Sequence, residues 1–149
     1  MKRIFESFSE DDTFAFAKEI AGGAAEGDVF ALIGDLGAGK TVFAKGFAAG
    51  LGITESVVSP TFTLVQIYQS GRLPLYHFDV YRAGDVSELE ETGWEDCFYG
   101  DGVTLVEWAD MIEPILPEGT TYIIISTDPL KGDEYRKITT VSSDEDNSH

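Results

Sequence analysis

Cysteine, asparagine and basic charge are scarce in this sequence, and each scarcity closes off a class of protein. Cys97 stands alone, so neither a disulfide framework nor a cysteine-rich metal site can be built. The only asparagine is Asn147, near the C-terminus, and no Asp-x-x-Gly occurs, which removes the guanine-reading and switch motifs of a small GTPase. Ten Lys and Arg face 27 Asp and Glu, for a net charge of −17. Setting aside Asp144, Glu145 and Asp146 leaves the rest still strongly acidic. A surface of that sign repels phosphate backbones, so unaided binding to tRNA or DNA is not expected. It suits a basic protein partner, or serves only to keep the protein soluble; both readings stay open. No apolar run approaches a membrane span. The N-terminal MKRIFESFSEDD turns acidic at once and lacks an apolar core, so no signal peptide is read there. A soluble protein of the cytoplasm is the expectation.

What is present is a chain of 149 residues with 43% apolar side chains, enough for one domain with a proper core. That domain is expected over 1–141, followed by a disordered acidic tail over 142–149. Residues 2–8 read as a short edge strand. Ser9 can cap a helix whose first turn carries Asp11 and Asp12, where the helix dipole favours acids. Phe14, Ala17, Ile20, Ala21 and Ala24 then recur at helical spacing. Val29 to Ile33 is continuously apolar, as in a strand buried on both faces, and a second helix is expected from Lys40 to about Gly50. Beyond it the chain turns β-rich. Strands are predicted over 62–68 and 73–78 around the turn Gln69-Ser70-Gly71-Arg72, then over 103–106 and 122–125, with a short helix over 86–91. The alternation of Tyr135 to Val141 predicts an edge strand. The sum is an α/β domain with a mixed sheet, parallel at its centre and flanked by antiparallel strands.

The segment GDLGAGKT, Gly34 to Thr41, fits G-x-x-x-x-G-K-[ST] in full and lies where it should, after a buried strand and opening a helix. Gly34, Gly37 and Gly39 permit backbone conformations and close approaches that a Cβ would block. Loop N–H groups and the helix N-terminus can then converge on phosphate oxygens. In this pattern Lys40 brings a point charge to the β and γ phosphates, and the Thr41 hydroxyl is a Mg²⁺ ligand. The chemistry also needs an acid at the end of a neighbouring strand, to hold the metal or orient the attacking water. Two segments offer one: Val103-Thr104-Leu105-Val106-Glu107 and Leu75-Tyr76-His77-Phe78-Asp79. Strand-end solvation explains either acid alone, but both strands of a P-loop protein end this way.

Other residues admit two readings each. Thr61, in Ser59-Pro60-Thr61-Phe62, is a switch threonine sensing the γ-phosphate or part of a rigid turn. His77 sits mid-strand among apolar residues and reads as a satisfied core histidine rather than a catalyst. Trp108 is packing or a contact surface. Arg82 reads as a surface ion pair before a phosphate sensor.

Taken together, GDLGAGKTVFAKGF (34–47), SPTFTLV (59–65), YHFDVYR (76–82) and LVEWAD (105–110) resemble the TsaE (YjeE) family, the P-loop ATPase component of bacterial tRNA threonylcarbamoyladenosine synthesis. The resemblance runs in order over nearly the whole chain. It implies a P-loop NTPase-like fold with helices on the faces of the sheet. It implies ATP phosphates held by Gly37, Ala38, Gly39, Lys40, Thr41 and Val42, with ADP as product and Mg²⁺ held through Thr41 and Glu107. Asp79 and Glu107 are the implied catalytic acids, and Trp108 matches a position the family needs. The implied partners are TsaD-type and TsaB-type subunits, with tRNA met only through the complex and no membrane involved. Many relatives carry Thr or Ser where this chain has Val42, a difference that falls on a backbone contact. The stretch 128–133 matches weakly, and adenine contacts there or from Arg136 are left open. The remaining rivals are a small-metabolite kinase, which would want an arginine-bearing lid that four unclustered arginines do not supply, and a module that binds ATP without hydrolysing it. With Lys40 and Mg²⁺ the only positive charges clearly placed at the γ-phosphate, slow hydrolysis by the lone protein is expected.

Overall fold

The computed structural model describes residues 2–34, 39–57, 65–80 and 93–142. The predicted helix over 86–91, residues 62–64 of the predicted strand, and residues 143–149 of the predicted tail lie outside them, as do Gly37, Ala38, Thr61 and Arg82.

Ser9 is the N-cap of α1 (Glu10–Gly22), its hydroxyl accepting from the Asp12 N–H. Asp12 reaches back in turn, its carboxylate accepting from the Phe8 N–H at 3.0 Å. The buried stripe of α1 is Thr13, Phe16, Ala17 and Ala21; of the residues at helical spacing, Phe14 lies off it and is 37% exposed. The helix turns Phe16 toward the strand beneath, where it stacks on Phe5 at 4.3 Å between ring centroids. Its small residues are left to meet α2 (Lys40–Gly50). Contact between the two helices is close enough that a Cβ at Gly46 would run into the Phe14 carbonyl. Phe43, Ala44, Phe47 and Ala48 form the buried face of α2, and Phe47 meets Phe30 of the sheet edge-on at 5.0 Å.

Among the described residues there are seven strands, β1 (Lys2–Ser7), β2 (Val29–Gly34), β3 (Val65–Tyr68), β4 (Leu75–Asp79), β5 (Val103–Glu107), β6 (Thr121–Thr127) and β7 (Arg136–Ser142). They form one sheet in the order β1-β7-β6-β2-β5-β4-β3. The pairs β6–β2, β2–β5 and β5–β4 are parallel, while β1–β7, β7–β6 and β3–β4 are antiparallel. That is the expected mixed sheet with a parallel centre and antiparallel flanks. The edge position expected for 135–141 is not observed. β7 pairs on both sides, with β1 and β6, and continues one residue past Val141, Ser142 pairing with Thr121. Alternation reports that one face is covered and the other open; it carries no information about how many neighbours a strand has. Among the described strands the outer ones are β1, as expected, and β3.

Side chains of β2 divide by parity between two cores. Phe30 and Leu32 join Leu75, Leu105, Ile123 and Ile125 beneath α1 and α2. Val29 and Ala31 join Phe78, Val80 and Val106 on the opposite face. That opposite face is covered by α3 (Trp94–Phe98) and 3₁₀ turns over Ala109–Ile115, neither of which the sequence pattern announces. Phe98 packs edge-on against Phe78 at 5.4 Å and Trp94 at 5.1 Å. Among the described residues no helix is long and apolar enough to cross a membrane.

Candidate functional site

β2, β4 and β5 run parallel and end on the same side of the sheet, so whatever terminates them is gathered in one place. β2 ends at Gly34, before the glycine loop. The chain is described again at Gly39, the N-cap of α2, with φ of 96°. A side chain is strained in that region, which is why glycine stands there. α2 has no side-chain cap and no acid in its first turn. Its Phe43 N–H bonds back to the Gly39 carbonyl at 3.0 Å.

Lys40, Thr41 and Val42 form that first turn. Lys40 is buried. Its Nζ donates to the Gly34 carbonyl and lies 3.8 Å from the centroid of the Trp108 ring, a cation–π contact. Trp108 therefore does both: it packs against the core that Val106 and Ala109 belong to and presents its ring to Lys40. It holds a left-handed backbone, φ 60°, uncommon for a bulky residue. Its N–H is tied to the Leu32 carbonyl at 3.1 Å. The turn it makes carries the chain away from the end of β5.

Glu107 ends β5 and Asp79 ends β4, and the two are Cα partners in the parallel register. By alternation with Leu105 and Leu75, both carboxylates stand on the sheet face that α2 covers. Glu107 is buried, and its Oε2 lies 2.6 Å from Nε2 of His77, itself buried. His77 is thus not the fully satisfied core histidine that its setting suggested. One ring nitrogen meets Glu107, and the other, Nδ1, is buried without a hydrogen-bond partner among the described residues.

Arg136 opens β7 and approaches Gly39 from the far side of β6. Its Nε lies 3.6 Å from where a Cβ on Gly39 would stand. Its Nη1 donates to the Asp133 and Tyr135 carbonyls at 2.7 Å each. The adjoining Tyr135 hydroxyl donates to Glu6 at 2.6 Å, a bond that, with Lys131, holds the Glu6 carboxyl below its ordinary range. Sequence had singled out Arg136 without placing it. Only the approach of β7 to Gly39 gives it a position.

Among the described residues no group of three or more His, Cys, Asp and Glu could cage a metal ion. The donors present are a hydroxyl at the start of α2 and carboxylates at strand ends, hard oxygen ligands without thiolates. That set fits Mg²⁺, which takes one or two protein oxygens and keeps water and phosphate for the rest. Thr41 and Glu107 would hold it.

A strand, a glycine-capped helix start with its lysine, and acids on the adjoining parallel strands define a P-loop NTPase-like α/β protein. The family model described as "Threonylcarbamoyl adenosine biosynthesis protein TsaE" matches residues 7–138. The tRNA threonylcarbamoyladenosine biosynthesis protein TsaE of Bacillus subtilis (strain 168) is 51% identical over 140 residues, 93% of this chain and 85% of that protein. That of Treponema pallidum (strain Nichols) is 45% identical over 117 residues, 78% of this chain and 86% of the relative. The crystal structure of YdiB from Bacillus subtilis superposes with a TM-score of 0.82 at 44% identity, covering 96% of this chain and 86% of that one. The chain belongs to the TsaE family, a family of tRNA threonylcarbamoyladenosine biosynthesis.

Proposed function

We propose that this protein binds Mg-ATP and hydrolyses it as the cytoplasmic ATPase subunit for threonylcarbamoyl modification of the tRNA adenosine next to the anticodon. It acts together with TsaD-type and TsaB-type subunits. The observation that carries the reading is the meeting, at one end of the parallel strands, of a lysine-bearing helix start without acids and two strand-end carboxylates in register. Backbone N–H groups over Gly37 to Val42 hold the phosphates, and Lys40 leaves the Gly34 carbonyl and the Trp108 ring to meet the β and γ oxygens. Thr41 and Glu107 would hold the metal, which when bound would supply charge against that developing on the γ-phosphoryl group. Asp79 and Glu107 orient the attacking water. ADP and phosphate leave.

The net charge of −17 supports a docking role rather than direct contact with nucleic acid. It also supports slow turnover by the lone chain, since a positioned arginine is worth about 10³ to 10⁵ in phosphoryl transfer and a partner can complete the charge. The test is steady-state phosphate release by the lone protein, each pairwise mixture and the full mixture with TsaD-type and TsaB-type subunits. The expected result is slow release alone and clear stimulation in the full mixture, diminishing with salt. Fast, partner-independent turnover would reject the reading, and phosphate transfer to an added small acceptor would favour a metabolite kinase.

A further inference from the structure

The reading of Glu107 as a metal acid rests on its place at the end of β5, and its neighbour His77 has no part in that reading. His77 lies mid-strand in β4, opposite Leu105 of β5, where an apolar side chain would pack without penalty. Instead the sheet buries an imidazole and a carboxylate together, 2.6 Å apart and 1% and 3% exposed. It leaves Nδ1 without a partner among the described residues. Burying an unpaired ring nitrogen costs stability, and a carboxyl taken out of water beside it gains less than apolar residues of like volume would. Packing therefore gives no account of the pair, whereas orientation does. A carboxylate with one oxygen bonded to a fixed ring cannot rotate freely, and β4, anchored beside β5, fixes the ring.

Resting on the metal reading of Glu107, we propose that His77 is a positioning residue: its Nε2–H fixes the Glu107 carboxylate in the orientation that receives Mg²⁺. Hydrogen-bonded neighbours of metal ligands act this way, and losing one typically lowers metal affinity about 10–100-fold. The same hydrogen bond has no direct bearing on phosphate capture, which belongs to the loop and α2. The proposal thus separates metal affinity from nucleotide affinity.

The experiment uses the full chain and Mn²⁺ as the probe. Mn²⁺ binding to the ADP-loaded protein is followed by electron paramagnetic resonance, and ADP binding in EDTA by calorimetry. His77→Gln carries an amide donor to about the position of Nε2, and His77→Asn, one methylene shorter, does not. The expected result is near wild-type Mn²⁺ affinity in His77→Gln and a loss of about 10–100-fold in His77→Asn. Metal-free ADP affinity should stay within about twofold in both. His77→Phe should lose Mn²⁺ affinity as His77→Asn does, and should add no further loss on top of Glu107→Gln, because the two act through one interaction. That double variant also removes the stranded charge and keeps the comparison available if His77→Phe alone does not fold. Equal Mn²⁺ affinity in His77→Gln and His77→Asn, or parallel losses of Mn²⁺ and metal-free ADP binding, overturns the positioning role while the metal reading stands. Wild-type Mn²⁺ affinity in Glu107→Gln overturns the metal reading itself, and the positioning role with it.

Discussion

The two helices that lie side by side on one face of the sheet begin in opposite ways. α1 closes its own N-terminus: Ser9 accepts from Asp12, Asp12 accepts from Phe8, and Glu10, Asp11 and Asp12 set negative charge against the dipole. α2 does none of this. Its cap is Gly39, its first turn carries no acid, and its first side chain is a lysine. The ends are alike: neither helix has a basic residue in its last turn, and both are met from the β3–β4 turn. There Arg72 Nη2 lies within 2.9, 3.3 and 2.8 Å of the carbonyls of Ala21, Gly22 and Ala24. The adjoining backbone binds the end of α2, Arg72 N–H donating to the Leu51 carbonyl at 2.8 Å. One helix carries its own side-chain cap and acids, and its neighbour starts on a glycine with a lysine, the arrangement that the proposed phosphate binding uses.

That contrast can be broken at several points. Lys40→Ala removes the cation from α2, and charge-assisted bonds to phosphate contribute roughly 1.5–3 kcal/mol each. Calorimetric ATP affinity should fall at least tenfold, and unchanged affinity would sink the phosphate site. Next in size is Arg72→Ala, which strips the far end of α1. Two of its three hydrogen bonds are part-buried, so the expected loss is about 1–2 kcal/mol of unfolding free energy in urea, with nucleotide affinity unaltered.

Ser9→Ala removes the side-chain cap of α1 and should cost about 1 kcal/mol in the same measurement. An equal effect on ATP affinity would show that α1 also serves the site. The smallest expected change sharpens the comparison by making α2 resemble α1. Val42→Asp places a carboxylate in the first turn of α2, where the dipole favours it by roughly 0.3–1 kcal/mol. Thermal stability should rise slightly or hold while ADP affinity drops several-fold, the acid now occupying the field meant for phosphate. A fall in both would mean that Val42 contributes packing the contrast overlooks.

Much of this contrast was legible in the primary structure because its determinants are local. A cap lies next to the turn it caps, and the glycines, lysine and threonine of the loop act within eight residues of one another. The apolar runs of β2 and β5 mark strands covered on both faces. The strand-end acids could be recognised as a pair because each sits at a hydrophobic run's end. Other features were illegible for an equally physical reason. Phe14 and Phe16 both fit a helical stripe, and only the arrival of α2 at Gly46 decides which of them is buried. Alternation in 135–141 showed a half-buried strand and could not show that β1 returns to cover its second edge. Five residues at Trp94–Phe98 are too few for a helical period to declare itself.

By itself, then, the order of residues determined the elements of the centre of the sheet, the glycine loop and its lysine, the two candidate acids, and the family. These depend on backbone preference and on spacing along the chain, which the sequence carries directly. Tertiary structure alone decided the rest. It placed Asp79 beside Glu107 in parallel register, set His77 against the Glu107 carboxylate, and laid Trp108 over Lys40. It also brought Arg136 to the flank of Gly39 and Arg72 to the end of a helix some 50 residues away. Each of these joins residues far apart in the chain, and such partners are chosen by which strands pair and which helix faces meet.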